Sequence, residues 1–206
     1  MSYESQNIAV YSGSFNPLHI GHLAIIRHMI EVAGFDMVYL IVSPKNPLKD
    51  GISSDSGRER YKAAVEAVER RFLRSGQSAS GRNDSKAVEA KVKVDDIELN
   101  MPEPHYTIRT LDALKEREPD NRFTLVMGAD NLADIRRWRD YTRILKEFGV
   151  AVFPREGHDL TEIKQDLLEE DPAYMIQILD AEMVDISSTQ IRNAIAEGED
   201  ISKYLM

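Results

Sequence analysis

The chain has 206 residues, 42% of them hydrophobic and 30% charged, which is typical of a folded globular protein. Its formal net charge of −9 disfavours nucleic-acid binding, because proteins of that class more often carry a basic surface. The chain has no cysteine, which excludes disulfides and thiolate chemistry. It shows neither a signal peptide nor an apolar run of roughly 18 residues, so we expect a cytoplasmic protein without a membrane span.

The first half of the chain alternates short apolar runs with longer amphipathic segments, which predicts strands and helices in turn. The helix over 57–73 is rich in charged residues, and we interpret these charges as a solvated face. The Ser- and Gly-rich run over 74–87 predicts a flexible loop rather than a domain boundary. The predicted elements are, in chain order, a strand over 8–12, a helix over 18–33, a strand over 37–43, a helix over 57–73 and a strand over 92–99.

The second half of the chain continues the alternation. Such a succession predicts an α/β fold of the Rossmann-like type, in which helices cover both faces of a mostly parallel sheet. We expect residues 1–206 to form a single domain. The predicted elements are a helix over 107–118, a strand over 123–130, short helices over 131–138 and 141–148, a strand and turn over 149–156, a helix over 159–170, a strand over 175–186 and a helix over 187–198.

The stretch GSFNPLHIGH follows the first predicted strand, at the edge of the sheet where such folds bind ligands. Gly13 permits a sharp turn and a close approach to a ligand, and Pro17 is expected in the first helical turn. His19 and His22 are three residues apart, so both imidazoles can donate hydrogen bonds to phosphate oxygens near a helix start. The stretch therefore predicts a phosphate site. Metal ligation, for which no third ligand is evident, and a purely structural role for the histidines remain as alternatives.

Two motifs at opposite ends of the chain identify a family. GSFNPLHIGH resembles the GxFxPxHxGH signature of the nucleotidyltransferase superfamily, and ISSTQIR over 186–192 resembles its ISSTxIR motif. The second motif is also typical of a helix N-cap, and the two interpretations are compatible. The resemblance implies that this helix start and Arg192 bind the β- and γ-phosphates of ATP, with His19, His22 and Arg192 as the catalytic residues. The implied ATP-binding residues are Gly13, Ser14, Phe15, Gly21, Gly128, Asp130, Ser187, Ser188 and Thr189.

The central segments SPKNPLK, HYTIRTL and GADNLADIRRW resemble those of the nicotinate mononucleotide adenylyltransferases. The resemblance implies that Trp138 stacks on a pyridine ring and that backbone N–H groups at Tyr106 and Thr107 bind the nicotinate carboxylate. Leu48 and Arg139 depart from the family pattern, which leaves the preference between acid and amide open. The implied mononucleotide-binding residues are Asn16, Lys45, Lys49, Tyr106, Thr107 and Trp138.

The implied reaction is the transfer of AMP from ATP to nicotinate mononucleotide in NAD biosynthesis, with release of pyrophosphate. Mg²⁺ is expected to arrive with ATP, and no metal site built by the protein is expected. The expected partners are ATP and a pyridine mononucleotide, and a homo-oligomer is left open. The alternatives are another acceptor, such as nicotinamide mononucleotide or phosphopantetheine, a related cytidylyltransferase, a non-catalytic nucleotide-binding sensor and a purely structural protein.

Overall fold

Six parallel strands form one sheet in the computed structural model, which describes residues 5–44, 57–73, 91–181 and 188–205. The strands are β1 (Asn7–Gly13), β2 (Met37–Val42), β3 (Val92–Asp95), β4 (Arg122–Gly128), β5 (Val150–Phe153) and β6 (Ile176–Ile178). Their order across the sheet is β3-β2-β1-β4-β5-β6, and every neighbouring pair is parallel. The predicted Rossmann-like α/β fold is thereby confirmed.

Within the described residues, seven α-helices lie between and after the strands. They are α1 (Ile20–Glu31), α2 (Gly57–Val68), α3 (Thr107–Arg117), α4 (Ala129–Ala133), α5 (Tyr141–Arg143), α6 (Leu160–Glu170) and α7 (Ser188–Ala196). In the part of the chain that the structure describes, no helix is both long enough and apolar enough to cross a membrane.

The two faces of the sheet bury two separate apolar clusters, because successive side chains of a strand point to opposite faces. Ala9 and Tyr11 of β1 belong to the cluster that also contains side chains of α1 and α2. Ile8 and Val10 belong to the cluster that contains side chains of α3, α4 and α6. Burying a large aliphatic side chain such as Ile8 contributes about 1.5–3 kcal/mol. This two-sided packing holds the carboxyl ends of the strands as a rigid platform.

Several element boundaries differ from the sequence prediction. Helix α1 begins at Ile20 with His19 as its N-cap, so Pro17 lies in the preceding turn and not in the first helical turn. The strand predicted over 92–99 ends at Asp95, and a 3₁₀ turn over Ile97–Asn100 follows it. The helix predicted over 57–73 changes from α to π geometry at Glu69.

Two further predictions concern the surface. The expectation that the charges of 57–73 form only a solvated face is wrong for Arg60, which is 3% exposed. Its guanidinium is buried because three backbone carbonyl groups accept its hydrogen bonds. The loop predicted over 74–87 lies outside the described residues.

Candidate active site

A cavity of about 380 Å³ opens at the carboxyl ends of β1 and β4. The chain moves from β1 to β2 on one side and later returns to β4 on the other, so the strand order switches direction at this point. Parallel sheets bind ligands at such a switch because the connecting loops separate there and leave a crevice. The cavity therefore lies where the fold predicts a ligand.

The turn after β1 forms one wall of the cavity. Phe15 has a φ of 44°, a left-handed conformation that is uncommon for a residue with a side chain, and its ring is buried. The ring packs edge-on against His22, with centroids 5.3 Å apart, and against Tyr11 at 5.5 Å. A Cβ built on Gly13 would lie 3.2 Å from the Phe15 ring, so glycine suits this close approach. The turn thus fixes the orientation of the His22 imidazole.

A backbone hydrogen bond determines which nitrogen of His22 carries the proton. The N–H of His19 donates to His22 Nδ1 over 3.2 Å, so Nδ1 is an acceptor and the neutral ring carries its proton on Nε2. The two imidazoles are in contact, with ring centroids 3.7 Å apart. His22 lines the cavity. Its Nε2–H is therefore a preset hydrogen-bond donor for a ligand.

Both imidazoles are held in the neutral form. Burial lowers the pKa of His22 well below its ordinary value of 6.5, and the charges of His19 and Arg155 lower it further. Burial also lowers the pKa of His19 to about 4, with a smaller contribution from Arg155. Two imidazolium ions in contact would repel each other. At neutral pH the pair therefore acts through N–H donors and not through positive charge.

These pKa values predict that the free protein loses stability as the pH falls from 6.5 toward 4. Over that window an unfolded histidine, with a pKa near 6.5, binds a proton that folded His19 does not bind. We expect the melting temperature to fall between about pH 7 and about pH 5, and to fall less in His19→Gln. The exposed control His158→Gln should retain the wild-type dependence, and an equal slope in all three proteins would contradict the assignment.

The C-terminal helix packs against the same turn. The guanidinium of Arg192 donates to the carbonyl oxygen of Asn16 and to Thr189 Oγ1, both over 2.9 Å. Ser188 Oγ donates to the carbonyl oxygen of Pro17 over 3.3 Å. Leu205 forms an isolated antiparallel bridge with His19. Two motifs about 170 residues apart in the chain thus meet next to the histidine pair.

The start of α3 and the region around Trp138 line another part of the cavity. Tyr106 is the N-cap of α3, and its backbone N–H already donates to Pro104 over 3.1 Å. Thr107 is the first helical residue, and N–H groups in a first turn have no acceptor within their own helix. Of the two predicted amide donors, the geometry favours Thr107.

Arg155 is a cavity-lining cation that the sequence motifs do not indicate. It follows β5, and its guanidinium lies 5.0 Å from the centroid of the Phe153 ring. No ion pair of Arg155 occurs within the described ranges. A Cβ on Gly128 would lie 3.3 Å from Arg155 Cγ and would overlap Asp130, so glycine is needed where these side chains converge. The signal for Arg155 in the sequence is its position just after the apolar run of β5.

The structure distributes the predicted site residues in three groups. From the first turn, the cavity is lined by Gly13, Ser14, Phe15 and His22. From later elements, it is lined by Tyr106, Thr107, Gly128, Asp130, Trp138 and Ser188. Next to these, but not in the cavity lining, lie Asn16, His19, Gly21, Thr189 and Arg192. The predictions for Lys45, Lys49 and Ser187 lie outside the described residues. Among the described histidines and carboxylates, no group of three could hold a metal ion.

Comparisons with known proteins agree on one family. The sequence model of the family described as cytidylyltransferase-like matches residues 10–194. A protein of Flavobacterium johnsoniae named "Probable nicotinate-nucleotide adenylyltransferase" is 36% identical, over 96% of this chain and 91% of the relative. A protein of the same name from Porphyromonas gingivalis is 34% identical, over 95% and 87% of the two chains. The solved structure of Plasmodium falciparum nicotinic acid mononucleotide adenylyltransferase complexed with NaAD matches with a TM-score of 0.72 and 20% identity, covering 97% of this chain and 90% of that one.

Proposed function

Because the chain belongs to the nicotinate-nucleotide adenylyltransferases of the cytidylyltransferase-like family, we propose that it transfers AMP from ATP to nicotinate mononucleotide. A phosphate oxygen of the mononucleotide attacks the α-phosphorus of ATP, the bond from that phosphorus to the bridging oxygen breaks, and pyrophosphate leaves. The product is nicotinate adenine dinucleotide, an intermediate of NAD biosynthesis. The family resemblance of the sequence motifs is confirmed by the match over nearly the whole chain.

In this proposal, His22 stabilises the α-phosphate of the adenylyl group that is transferred. Its Nε2–H donates to an α-phosphate oxygen, where negative charge is redistributed in the transition state. His19 holds His22 in the required tautomer through its backbone N–H.

The start of α7, Arg192 and Arg155 hold the departing pyrophosphate in this proposal. Arg192 is anchored to the turn after β1, and Ser188 lines the cavity beside it. First-turn N–H groups attract anions, and α7 begins at Ser188. Arg155 adds a positive charge from the end of β5. These groups offset the anionic triphosphate in a protein whose net charge is −9.

The acceptor occupies the part of the cavity lined by α3 and Trp138. The indole face provides a surface for the pyridine ring, and the amide of Thr107 provides a donor for the nicotinate carboxylate.

No protein nucleophile is needed, because positioning and charge stabilisation can drive transfers of this class. Mg²⁺ would arrive with ATP and would supply positive charge that offsets the charge of the phosphates. We place this reaction in the cytoplasm.

The observation that best supports this proposal is the preset Nε2–H of His22 in a cavity that has Arg155 and the aromatic surface of Trp138 in its walls. The decisive experiment is a coupled pyrophosphate-release assay with ATP and Mg²⁺. With ATP as the donor, we expect turnover with nicotinate mononucleotide to exceed turnover with nicotinamide mononucleotide or phosphopantetheine. With nicotinate mononucleotide as the acceptor, we expect turnover with ATP to exceed turnover with CTP. If no acceptor releases pyrophosphate while ATP still binds, the proposal is wrong and the protein is a nucleotide-binding sensor.

Replacing Trp138 tests the acceptor site. We expect Trp138→Ala to raise KM for nicotinate mononucleotide by about tenfold, because it removes the aromatic surface on which the pyridine ring stacks. KM for ATP should change by less than about threefold, and Trp138→Phe should recover most of the loss. Initial-rate kinetics with each substrate varied in turn measure both constants. An equal rise in both KM values would show that the indole only supports the local fold.

A further inference from the structure

A buried guanidinium connects two of the turns that line the cavity. Arg60 of α2 donates from Nη1 to the carbonyl oxygens of Ser14, over 2.8 Å, and Ser43, over 2.7 Å. Its Nη2 donates to the carbonyl oxygen of Pro44 over 2.7 Å. Ser14 belongs to the turn after β1, and Ser43 directly follows β2. Because one planar group holds both turns, it fixes their separation.

The network continues from Ser43 to α3. The Ser43 hydroxyl donates to Glu98 Oε2, and Thr110 Oγ1 donates to Glu98 Oε1 over 2.8 Å. Glu98 and Thr110 are 3% and 1% exposed, so these bonds lie in the interior, where breaking one is costly. Thr110 lies one helical turn after Thr107, the residue that begins α3 in the acceptor part of the cavity. A continuous hydrogen-bonded path therefore joins the two parts of the cavity wall.

We propose that Arg60, Ser43, Glu98 and Thr110 form a positioning network that sets the alignment of the two substrates. One end of the network holds the turn that leads to the histidine pair, and the other end holds the start of α3. An in-line transfer needs the attacking oxygen and the α-phosphorus at a defined separation, and a displacement of about 1 Å can lower the rate by about 10²-fold. The inference rests on the proposed function, and it assigns the network to kcat and not to the binding of either substrate alone.

Thr110→Val is the sharpest test, because the substitution is nearly isosteric and Thr110 does not line the cavity. We expect kcat to fall by about tenfold, while the Kd values of ATP alone and nicotinate mononucleotide alone, measured by calorimetry, stay within about threefold. Thr110→Ser, which restores the hydroxyl, should recover the rate. Thr124→Val, at a partly buried position of β4, serves as the matched control and should behave as wild type.

Arg60→Met tests the other end of the network, and Arg58→Met at an exposed position of the same helix is its control. We expect Arg60→Met to lower kcat by at least about tenfold with little change in either Kd. If this variant does not fold, Arg60→Lys replaces it, because lysine keeps the charge but lacks the planar fork. Wild-type kcat in folded Thr110→Val and in the folded Arg60 variant, or weaker binding at unchanged kcat, would overturn the proposal.

Hydrogen exchange separates this inference from the proposed function. The backbone amides of residues 13–16 should exchange faster in the Arg60 variant than in Arg58→Met, because the turn has lost its guanidinium anchor. If the wild-type protein releases no pyrophosphate with any acceptor, the proposed function is wrong. The exchange comparison then still tests whether Arg60 holds the turn after β1. Equal exchange in the two variants would show that Arg60 does not hold the turn.

Discussion

His22→Ala is expected to lower kcat by at least about tenfold while the fold persists. Removing one preorganised donor to a transition-state oxyanion can lower kcat by about 10²–10³-fold. Nδ1 of His22 is already bound to the backbone of His19, so the ring has one donor, Nε2–H, for the α-phosphate. Pyrophosphate-release kinetics measure the effect, and circular dichroism and the melting temperature check the fold. Turnover near that of wild type would disprove the assigned role.

Two amide substitutions at the same position refine this test. Glutamine can place an N–H donor near the position of Nε2, whereas asparagine reaches only the position of Nδ1. We therefore expect His22→Gln to retain more activity than His22→Asn. His28→Ala, near the end of the same helix and outside the cavity lining, is the matched control. If Gln and Asn are equally inactive, the imidazole acts through its shape or its contact with Phe15 and not through a donated hydrogen bond.

The fold was largely predictable because its signals are local. The runs IAVYS and MVYLIV are short, apolar and bounded by polar or turn-forming residues, and both form central strands of the sheet. Boundaries were less predictable where tertiary contacts decide them. Asp95 ends β3 because Arg117 of α3 binds its carboxylate with two hydrogen bonds, at 3.1 and 2.6 Å, and Ile97 donates to it over 3.0 Å. The contact with Arg117, 22 residues further along the chain, cannot be read from the alternating pattern of 92–99.

The candidate site divides in the same way between motif residues and partners brought by the fold. His22 and Arg192 stand in recognisable motifs, and the structure brings both motifs to one turn. The sequence does not predict the role of Arg60, because the pattern of an amphipathic helix gives no sign that one of its arginines points inward. Arg60 is buried because three carbonyl groups from other segments lie on the inner side of the helix and accept its hydrogen bonds. Such a contact can be found only after the sheet order is known.

Arg155→Met is expected to lower kcat/KM for ATP by roughly 10- to 100-fold. Hydrogen bonds to charged groups contribute about 1.5–3 kcal/mol, and each 1.4 kcal/mol corresponds to about tenfold. Arg155 lines the cavity and forms no ion pair within the described ranges, so its charge is available to an anionic ligand. Methionine keeps the length and the packing over Phe153 but removes the charge. The control is Arg122→Met, because Arg122 is exposed at the amino end of β4, and the cavity lies at the carboxyl ends of the strands.

A second measurement distinguishes direct contact with ATP from an action through the histidines. The charge of Arg155 lowers the pKa of both His19 and His22, so its removal should raise both values, as followed by NMR titration of the free protein. If kcat/KM falls by the same factor at neutral and at alkaline pH, the loss does not depend on the protonation of the histidines, and Arg155 acts on ATP. If the loss disappears at alkaline pH, Arg155 acts by keeping the histidine pair neutral. If the pKa values of the histidines rise but kcat/KM does not fall, both roles are contradicted. Catalysis would then depend neither on a contact between Arg155 and ATP nor on the effect of Arg155 on the histidines.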